Sequence, residues 1–396
     1  MPRRLLSPLA EFLRTEIAGG VALLVAATTA LVWANVDPAS YADTWHSEIT
    51  IGGTTLDVTH WVNEGLMAVF FFVVGLEIKR ELVEGELRDR RAATLPVVAA
   101  LGGMLMPAAL YLTLNAGRAG SEGWGIPMAT DIAFAMGVLA LLGTRAPAQL
   151  KLLLLTLAIV DDLGAIVVIA IFYSGTIALS WIGGAIGVSV AMLLMRRLRF
   201  VSPWWYLVPA VALWWCVLQS GIHATIAGVA LGLLTPTRDA RNRDPLTTLE
   251  RGLHPWSSFL IVPLFALANA GMIIDATTAG RALESRITWG VIAGLVVGKV
   301  LGITTAAWAA CRLGLASLPG GLGARHVVGL GLLGGIGFTV SLFVADLAFA
   351  GIQLQEAKLG VLAASLASGA VAIVVLGMGE EPSRAVEVPA DRSPHA

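Results

Sequence analysis

Four ionisable side chains stand where this chain should least tolerate them: Asp131, Asp161, Asp162 and Lys299. Each lies inside an apolar run long enough to cross a bilayer. A charge at mid-membrane costs at least about 2.5–3.5 kcal/mol, so these residues are candidates for binding or moving charge. Asp161 and Asp162 sit side by side near the middle of Leu-Leu-Leu-Leu-Thr-Leu-Ala-Ile-Val-Asp-Asp-Leu-Gly-Ala-Ile. Neighbouring helical positions point about 100° apart, so the two carboxylates must face different partners. Lys299 needs a carboxylate to offset its charge, and the aspartate trio supplies the candidates. Its surroundings, Gly-Leu-Val-Val-Gly-Lys-Val, superficially resemble a phosphate loop. The spacing is one residue short and no Ser or Thr follows Lys299, which rejects nucleotide binding.

Two breaks adjoin these charges. Asp131 follows Trp-Gly-Ile-Pro-Met-Ala-Thr, in which Gly125 and Pro127 interrupt a helix, since proline lacks a backbone donor and clashes with the preceding turn. The second is Gly-Leu-Gly-Leu-Leu-Gly-Gly-Ile-Gly-Phe-Thr-Val-Ser, with Gly335, Gly337, Thr339 and Ser341 at its end. Each glycine weakens a helix by roughly 1 kcal/mol relative to alanine. An interrupted helix exposes N–H and C=O ends that can face an ion or a charged side chain.

The elements that must hold these groups are membrane helices. Hydrophobic residues make up 57% of the 396-residue chain and charged residues 13%, and the mean hydropathy is +0.79. A soluble globule of this size needs far more polar surface. The net charge of −1 indicates no basic surface for nucleic acid. Cys216 and Cys311 define neither a disulfide framework nor a metal cluster. Residues 1–16 read as an amphipathic helix on the membrane surface. Apolar segments follow at 17–36, 58–78, 92–114, 124–143, 152–173, 180–195, 204–218, 222–234, 256–274, 288–310, 327–349 and 359–378, which predicts about twelve crossings.

With the N-terminus cytoplasmic, all but five of the 26 Lys and Arg fall on the cytoplasmic side. The exceptions are Arg118, Arg281, Arg286 and Lys358 outside and Lys299 within the membrane. That asymmetry obeys the positive-inside rule with both termini inside. The breaks occupy the middle segments of two oppositely oriented triplets, 92–173 and 288–378, which predicts inverted repeats of the secondary-transporter kind. Residues 48–58 read as an external β-hairpin around Gly52-Gly53. A lone hairpin is marginal in water, so it is expected to pair, in one arrangement with the hairpin of a second subunit. The transporter domain spans 17–379, and residues 380–396 read as a disordered cytoplasmic tail.

Several stretches together resemble the NhaA-type Na⁺/H⁺ antiporters: Phe71–Leu82, Ala129–Ala135, Val160–Ile166, Gly221–Thr225, Leu253–Trp256, Pro263–Gly271 and Gly335–Thr339. That family is itself a stock example of the inverted-repeat architecture. The resemblance covers nearly the whole chain. It implies an all-α, multi-pass inner-membrane protein with two crossed interrupted helices. In it Asp131 would compensate the positive helix ends and Lys299 the negative ones. Asp162 would be the central Na⁺ ligand, Asp161 would pair with Lys299, and Thr130 would help line the site. Glu77, Arg80, Glu81, Glu250, Arg251 and His254 match or neighbour a cytoplasmic pH-sensing cluster; taken singly, each also reads as a charge on a solvated helix end. His223 reads as structural, and Asp346, a departure from the family pattern, as interfacial.

The implied activity is electrogenic export of Na⁺ (or Li⁺) for more than one H⁺, regulating internal pH and Na⁺, by a homodimer that is no enzyme and needs no cofactor. Burial favours the neutral form of a carboxylate and a nearby cation its charged form, so one site would hold either Na⁺ or protons. A Na⁺-coupled solute symporter of related fold is the alternative; it would need a cavity for an organic substrate. An intramembrane aspartyl protease lacks its Gly-x-Gly-Asp signature here and leaves Lys299 without a role.

Overall fold

The computed structural model describes residues 6–198, 200, 204–237 and 244–378, with side chains throughout that set except at 6–16 and 144. Helix stands in each of the twelve apolar segments. Six of these helices are long and apolar enough to cross a membrane: Ile17–Val36, Arg90–Asn115, Ala148–Phe172, Leu179–Arg197, Arg286–Arg312 and Gly351–Gly377. Two bent pairs bring the number to eight, while Trp204–Gln219 and Thr225–Leu234 are shorter. The boundary expected at residue 16 is not a break, because one helix runs from Leu6 to Val36. The expected tail at 380–396 lies outside the described residues.

The hairpin pairs Glu48–Ile51 with Thr54–Asp57 in antiparallel register. Gly52 and Gly53 have φ of 60° and 86°, the left-handed geometry that a two-residue hairpin turn demands. It leans on the helices beside it. Trp61 Nε1 donates to Ile49 O at 3.0 Å, and Gln219 Nε2 donates to Thr54 Oγ1 at 2.9 Å. The chain leaves the hairpin directly into helix at Val58. That helix continues to Val83 through a π-turn at Val62–Leu66. Asn63 therefore lies toward the hairpin, and Glu77, Arg80 and Glu81 lie toward the opposite end.

Both expected breaks are present. The first pair is Ser121–Met128 and Ile132–Leu141, bent by 45°; the second is Ala324–Gly334 and Phe338–Ala348, bent by 43°. The half before the first break is a 3₁₀ helix rather than an α-helix, and it begins before the expected residue 124. Gly123, Gly125 and Pro127 explain this: the glycines disfavour α-helix and the proline removes a donor. Tyr173 anchors this half, accepting from Gly125 N at 3.0 Å and donating to Glu122 O at 2.7 Å.

A stripe of glycines sets the position of Lys299. Gly294, Gly298 and Gly302 recur every fourth residue and form one helix face. A Cβ on each would lie 2.6 Å from Pro127 Cβ, 2.7 Å from Pro107 Cα and 2.1 Å from Gly102 O respectively. The glycines that resembled a phosphate loop are thus a contact surface for helix packing, where small residues let backbones touch. A π-turn at Ala293–Gly298 immediately precedes Lys299. The stem of Lys299 lies over Gly103, whose added Cβ would sit 3.7 Å from Lys299 Cδ. Replacing Gly302 with valine should therefore push the Arg90–Asn115 and Lys299–Arg312 helices apart. Overpacking of this kind costs about 1–3 kcal/mol, so we expect a Tm several degrees lower in detergent for Gly302→Val than for wild type.

Candidate ion-binding site at the helix breaks

The two breaks are bonded to each other. Asp131 N donates to Ile336 O at 2.7 Å, and Ser341 Oγ donates to Ile126 O at 2.7 Å. Asp131 joins two helix N-termini with one carboxylate. Its Oδ1 accepts from Phe134 N at 3.0 Å, capping the Ile132–Leu141 helix. Its Oδ2 accepts from Thr339 N at 3.0 Å and Thr339 Oγ1 at 2.8 Å, in the first turn of the Phe338–Ala348 helix. A negative charge there meets two positive dipole ends and orphan N–H groups that no water can satisfy. The second cap depends on Thr339, which the sequence marked only as part of the break.

Lys299 has a different surrounding. It is fully buried and donates to Asp161 Oδ2 in a short contact, and to Thr130 Oγ1 at 3.1 Å. Thr130 Oγ1 lies 2.7 Å from Asp161 Oδ2 and 2.9 Å from Gly334 O, the last carbonyl of its half-helix. The negative helix end expected to face Lys299 is thus reached through the Thr130 hydroxyl. Gly335 and Gly337 flank the second break, and Pro127 lies in the last turn of the 3₁₀ helix that leads into the first.

Asp161 and Asp162 diverge as adjacent helical residues must. Asp161 meets Lys299 and Thr130. Asp162 lines a cleft bordered by Glu77, Thr130, Asp131, His254, Thr339 and Val340, among others. Each carboxylate keeps one buried oxygen, Oδ1, that accepts no hydrogen bond among the described residues. A buried oxygen of this kind normally costs about 1–3 kcal/mol or more. The one on Asp162 belongs to a residue that lines the cleft, where a carboxylate is a hard oxygen ligand of the kind that suits a cation.

The cleft runs toward the end opposite the hairpin, where the other charged candidates gather. Arg80 Nε lies 3.0 Å from Glu250 Oε2, and Arg80 Nη2 lies 3.7 Å from Glu81 Oε1. His254 Nε2 lies 3.9 Å from Glu77 Oε1. Glu81 Oε2 accepts from Glu86 N at 3.1 Å. Burial pushes the Glu250 carboxyl above the usual carboxylate range, against the opposing charge of Arg80. Five of the six expected residues thus lie in pairs, and Arg251 is exposed beside them. At the hairpin end His223 holds Glu64 Oε1 and Tyr173 O, each at 2.9 Å. Asp346, expected at the interface, is half-buried and accepts from Asn63 Nδ2 at 2.8 Å. The Asn63–Asn269 amide pair carries no sequence signal beyond two polar residues in apolar runs.

The chain matches the family model described as Na⁺/H⁺ antiporter 1 over residues 10–376. It is 46% identical to a Na⁺/H⁺ antiporter NhaA of Mesorhizobium japonicum, over 96% of both chains. It is 45% identical to a protein of the same name from Escherichia coli, over 94% of this chain and 98% of that one. A relative in Myxococcus xanthus, Na⁺/H⁺ antiporter NhaA 2, is 47% identical over 94% of this chain and 88% of its own.

Removing one partner of a buried ion pair strands the other and typically costs about 3–5 kcal/mol. Asp161→Asn and Lys299→Met should each lower thermal stability, and the double variant should regain much of the loss. Unfolding in detergent across the four proteins measures the coupling, and strictly additive losses would show that the two charges do not support each other.

Proposed function

Because this chain belongs to the Na⁺/H⁺ antiporter 1 family, we propose that it exports Na⁺ or Li⁺ electrogenically, for more than one H⁺, with Asp162 as the central ion ligand. The observation that carries this reading is the pair of orphaned carboxylate oxygens, one of them on a residue that lines the cleft. Na⁺ entering past Glu77 and His254 meets Asp162, with Thr130 and Thr339 also at the cleft wall. Binding there requires the carboxylate to be ionised, so protonation and Na⁺ exclude each other. Asp161 and Lys299 supply the second exchangeable group: with a proton on Asp161 as well as on Asp162, two protons move one way for each Na⁺ that moves the other, a net transfer of one positive charge per cycle. Unequal charge then makes transport respond to membrane potential.

Asp131, whose carboxylate accepts hydrogen bonds on both oxygens, has a fixed part in this scheme. It keeps the two broken helices together while the neighbouring carboxylates change state. Twelve crossings, both termini cytoplasmic, and inverted repeats that rock about the breaks complete the reading. The lysine and arginine asymmetry supports that orientation, in a bacterial inner membrane. The Arg80–Glu250 and Glu77–His254 pairs beside the cleft support a pH-sensing role for Glu77, Arg80, Glu81, Glu250, Arg251 and His254. Protonating Glu250, whose proton affinity burial raises, removes the charge that holds Arg80.

Asp162→Asn should abolish the collapse of a proton gradient that Na⁺ induces in everted vesicles, while the protein still inserts and keeps a Tm close to wild type. Near-normal exchange by this variant would remove the central assignment. The hairpin, whose first strand Glu48–Ile51 is exposed along its length, is proposed to pair two subunits. Deleting residues 48–57 should weaken dimers in cross-linking yet leave exchange by each subunit, and undiminished cross-linking would refute the pairing.

A further inference from the structure

Asp346 has no part in the exchange scheme, yet it stands in register with the ion site. On the second broken helix Thr339, Phe343 and Asp346 are spaced by four and three residues, so they share one face. Thr339 borders the cleft, and Asp346 lies about 10 Å further along the axis, toward the hairpin. On the Val262–Asn269 helix the same order recurs: Val262 borders the cleft, Phe265 comes next, then Asn269. Phe71 comes from a third helix, one turn from Val74 of the cleft wall. The three rings meet. Phe71 and Phe343 have centroids 5.8 Å apart, Phe265 and Phe343 6.1 Å, and all three are almost fully buried. About one turn from Val74, Val262 and Thr339 of the cleft wall, the three rings form an aromatic plug on the hairpin side of the cleft.

Immediately beyond the plug lies a polar knot. Asn63 Nδ2 donates to Asp346 Oδ2 at 2.8 Å and lies 3.3 Å from Asn269 Oδ1. Asn269 Nδ2 donates to Asn63 Oδ1 at 2.8 Å and to Phe265 O at 3.0 Å, which ties the knot to the backbone of the plug. Both amides are buried, at 3% and 0% exposure. Lys358, itself buried, has Asp346 as its facing acid. His223, bonded to Glu64, also lies within the field of Asp346.

We propose that Asp346, clasped by Asn63 and Asn269, is a second carboxylate station for the transported cation, on the hairpin side of the Phe71–Phe265–Phe343 plug. The inference rests on the antiport reading and extends it to the path by which the ion leaves. Carboxylate and amide carbonyl oxygens are hard ligands suited to Na⁺. Each amide carries donors at one end and an acceptor at the other. Rotation of Asn63 turns its carbonyl toward an ion at Asp346 and releases the bond that holds the resting knot. The same rotation breaks the link to Asn269 and loosens the anchor of Phe265. An ion at Asp346 and an opened plug are therefore coupled. The Lys358 charge opposes tight binding, as a station for release requires.

The test uses full-length protein in proteoliposomes of uniform orientation, with Na⁺ supplied from either face. Asp346→Asn keeps an oxygen acceptor for Asn63 and removes only the charge. We expect the Na⁺ concentration for half-maximal exchange from the hairpin face to rise about fivefold, the factor that one unit charge at contact distance supplies in a high-dielectric setting. The value from the opposite face should stay within about twofold of wild type. Unchanged values at both faces, or equal shifts at both, would overturn the proposal. So would normal asymmetry in Asp346→Asn together with lost activity in Asp346→Ala, which would make the residue a structural latch. Absence of exchange by the wild-type protein would instead sink the antiport reading itself, and this inference with it.

Discussion

Three carboxylates and one ammonium are held together in an apolar interior, and the rest of the structure is arranged around the cost of doing so. Asp131, Asp161, Asp162 and Lys299 are at most 5% exposed, so most of the hydration a charge would have in water is lost to them. Helices with intact hydrogen bonding have nothing to offer a charge except a side-chain partner. Helices broken at mid-length offer bare N–H and C=O groups. The two breaks at residues 129–131 and 335–337 therefore answer a charge problem as much as they make a transport site. Asp131 takes up two N-termini, and Lys299 reaches a C-terminal carbonyl through Thr130. Removing either break would take from Asp131 one of the two N-termini that its carboxylate caps.

Packing fixes where these charges meet. The glycine stripe through Gly294, Gly298 and Gly302 brings its helix to backbone contact with Pro107 and Gly102. Lys299 comes directly after Gly298, so its direction is set by a contact that admits no Cβ. The π-turn before Lys299 adds a residue to the local turn and so rotates the Lys299–Arg312 helix about its axis. Precision at the site thus derives from residues that carry no charge. A rigid frame matters here because the ion pair gains energy only if its geometry is held.

Much of this was legible in the sequence, for identifiable reasons. A charge in a long apolar run is rare enough to stand out, so Asp131, Asp161, Asp162 and Lys299 were visible without coordinates. Proline and clustered glycine marked both breaks, and Gly52-Gly53 marked the hairpin turn, because each has one dominant backbone consequence. Other features were hidden. The 3₁₀ form of Ser121–Met128 and the π-turns at Val62–Leu66, Ser257–Ile261 and Ala293–Gly298 shift hydrogen bonds by a single residue, which hydrophobic periodicity does not resolve. Thr339 looked like one polar residue among glycines, and its bonds to Asp131 depend on contact across 208 residues of sequence. Asn63 and Asn269 pair across a similar distance. The number of crossings was read from apolar runs, whereas six helices meet the length and composition of a span alone and two more do so as bent pairs.

The difference among the three buried aspartates gives the site its division of labour. Asp131 accepts on both oxygens from groups that the fold holds in place, so its charge is neutralised by structure and has little reason to change. Asp161 accepts on one oxygen only, from groups that can themselves move or rotate, and leaves the other bare. Asp162 leaves a buried oxygen bare and borders the cleft. Satisfaction by hydrogen bonds thus falls in the order in which exchange with solvent becomes possible. In the proposed scheme an ion or proton arriving from the cleft would find an unsatisfied carboxylate oxygen first at Asp162, next at Asp161, and none at Asp131. Beyond the aromatic plug, Asp346 belongs with the exchangeable pair: its bonded donor is a side-chain amide that can rotate away, so the charge it carries is available to a passing cation in a way that Asp131 is not.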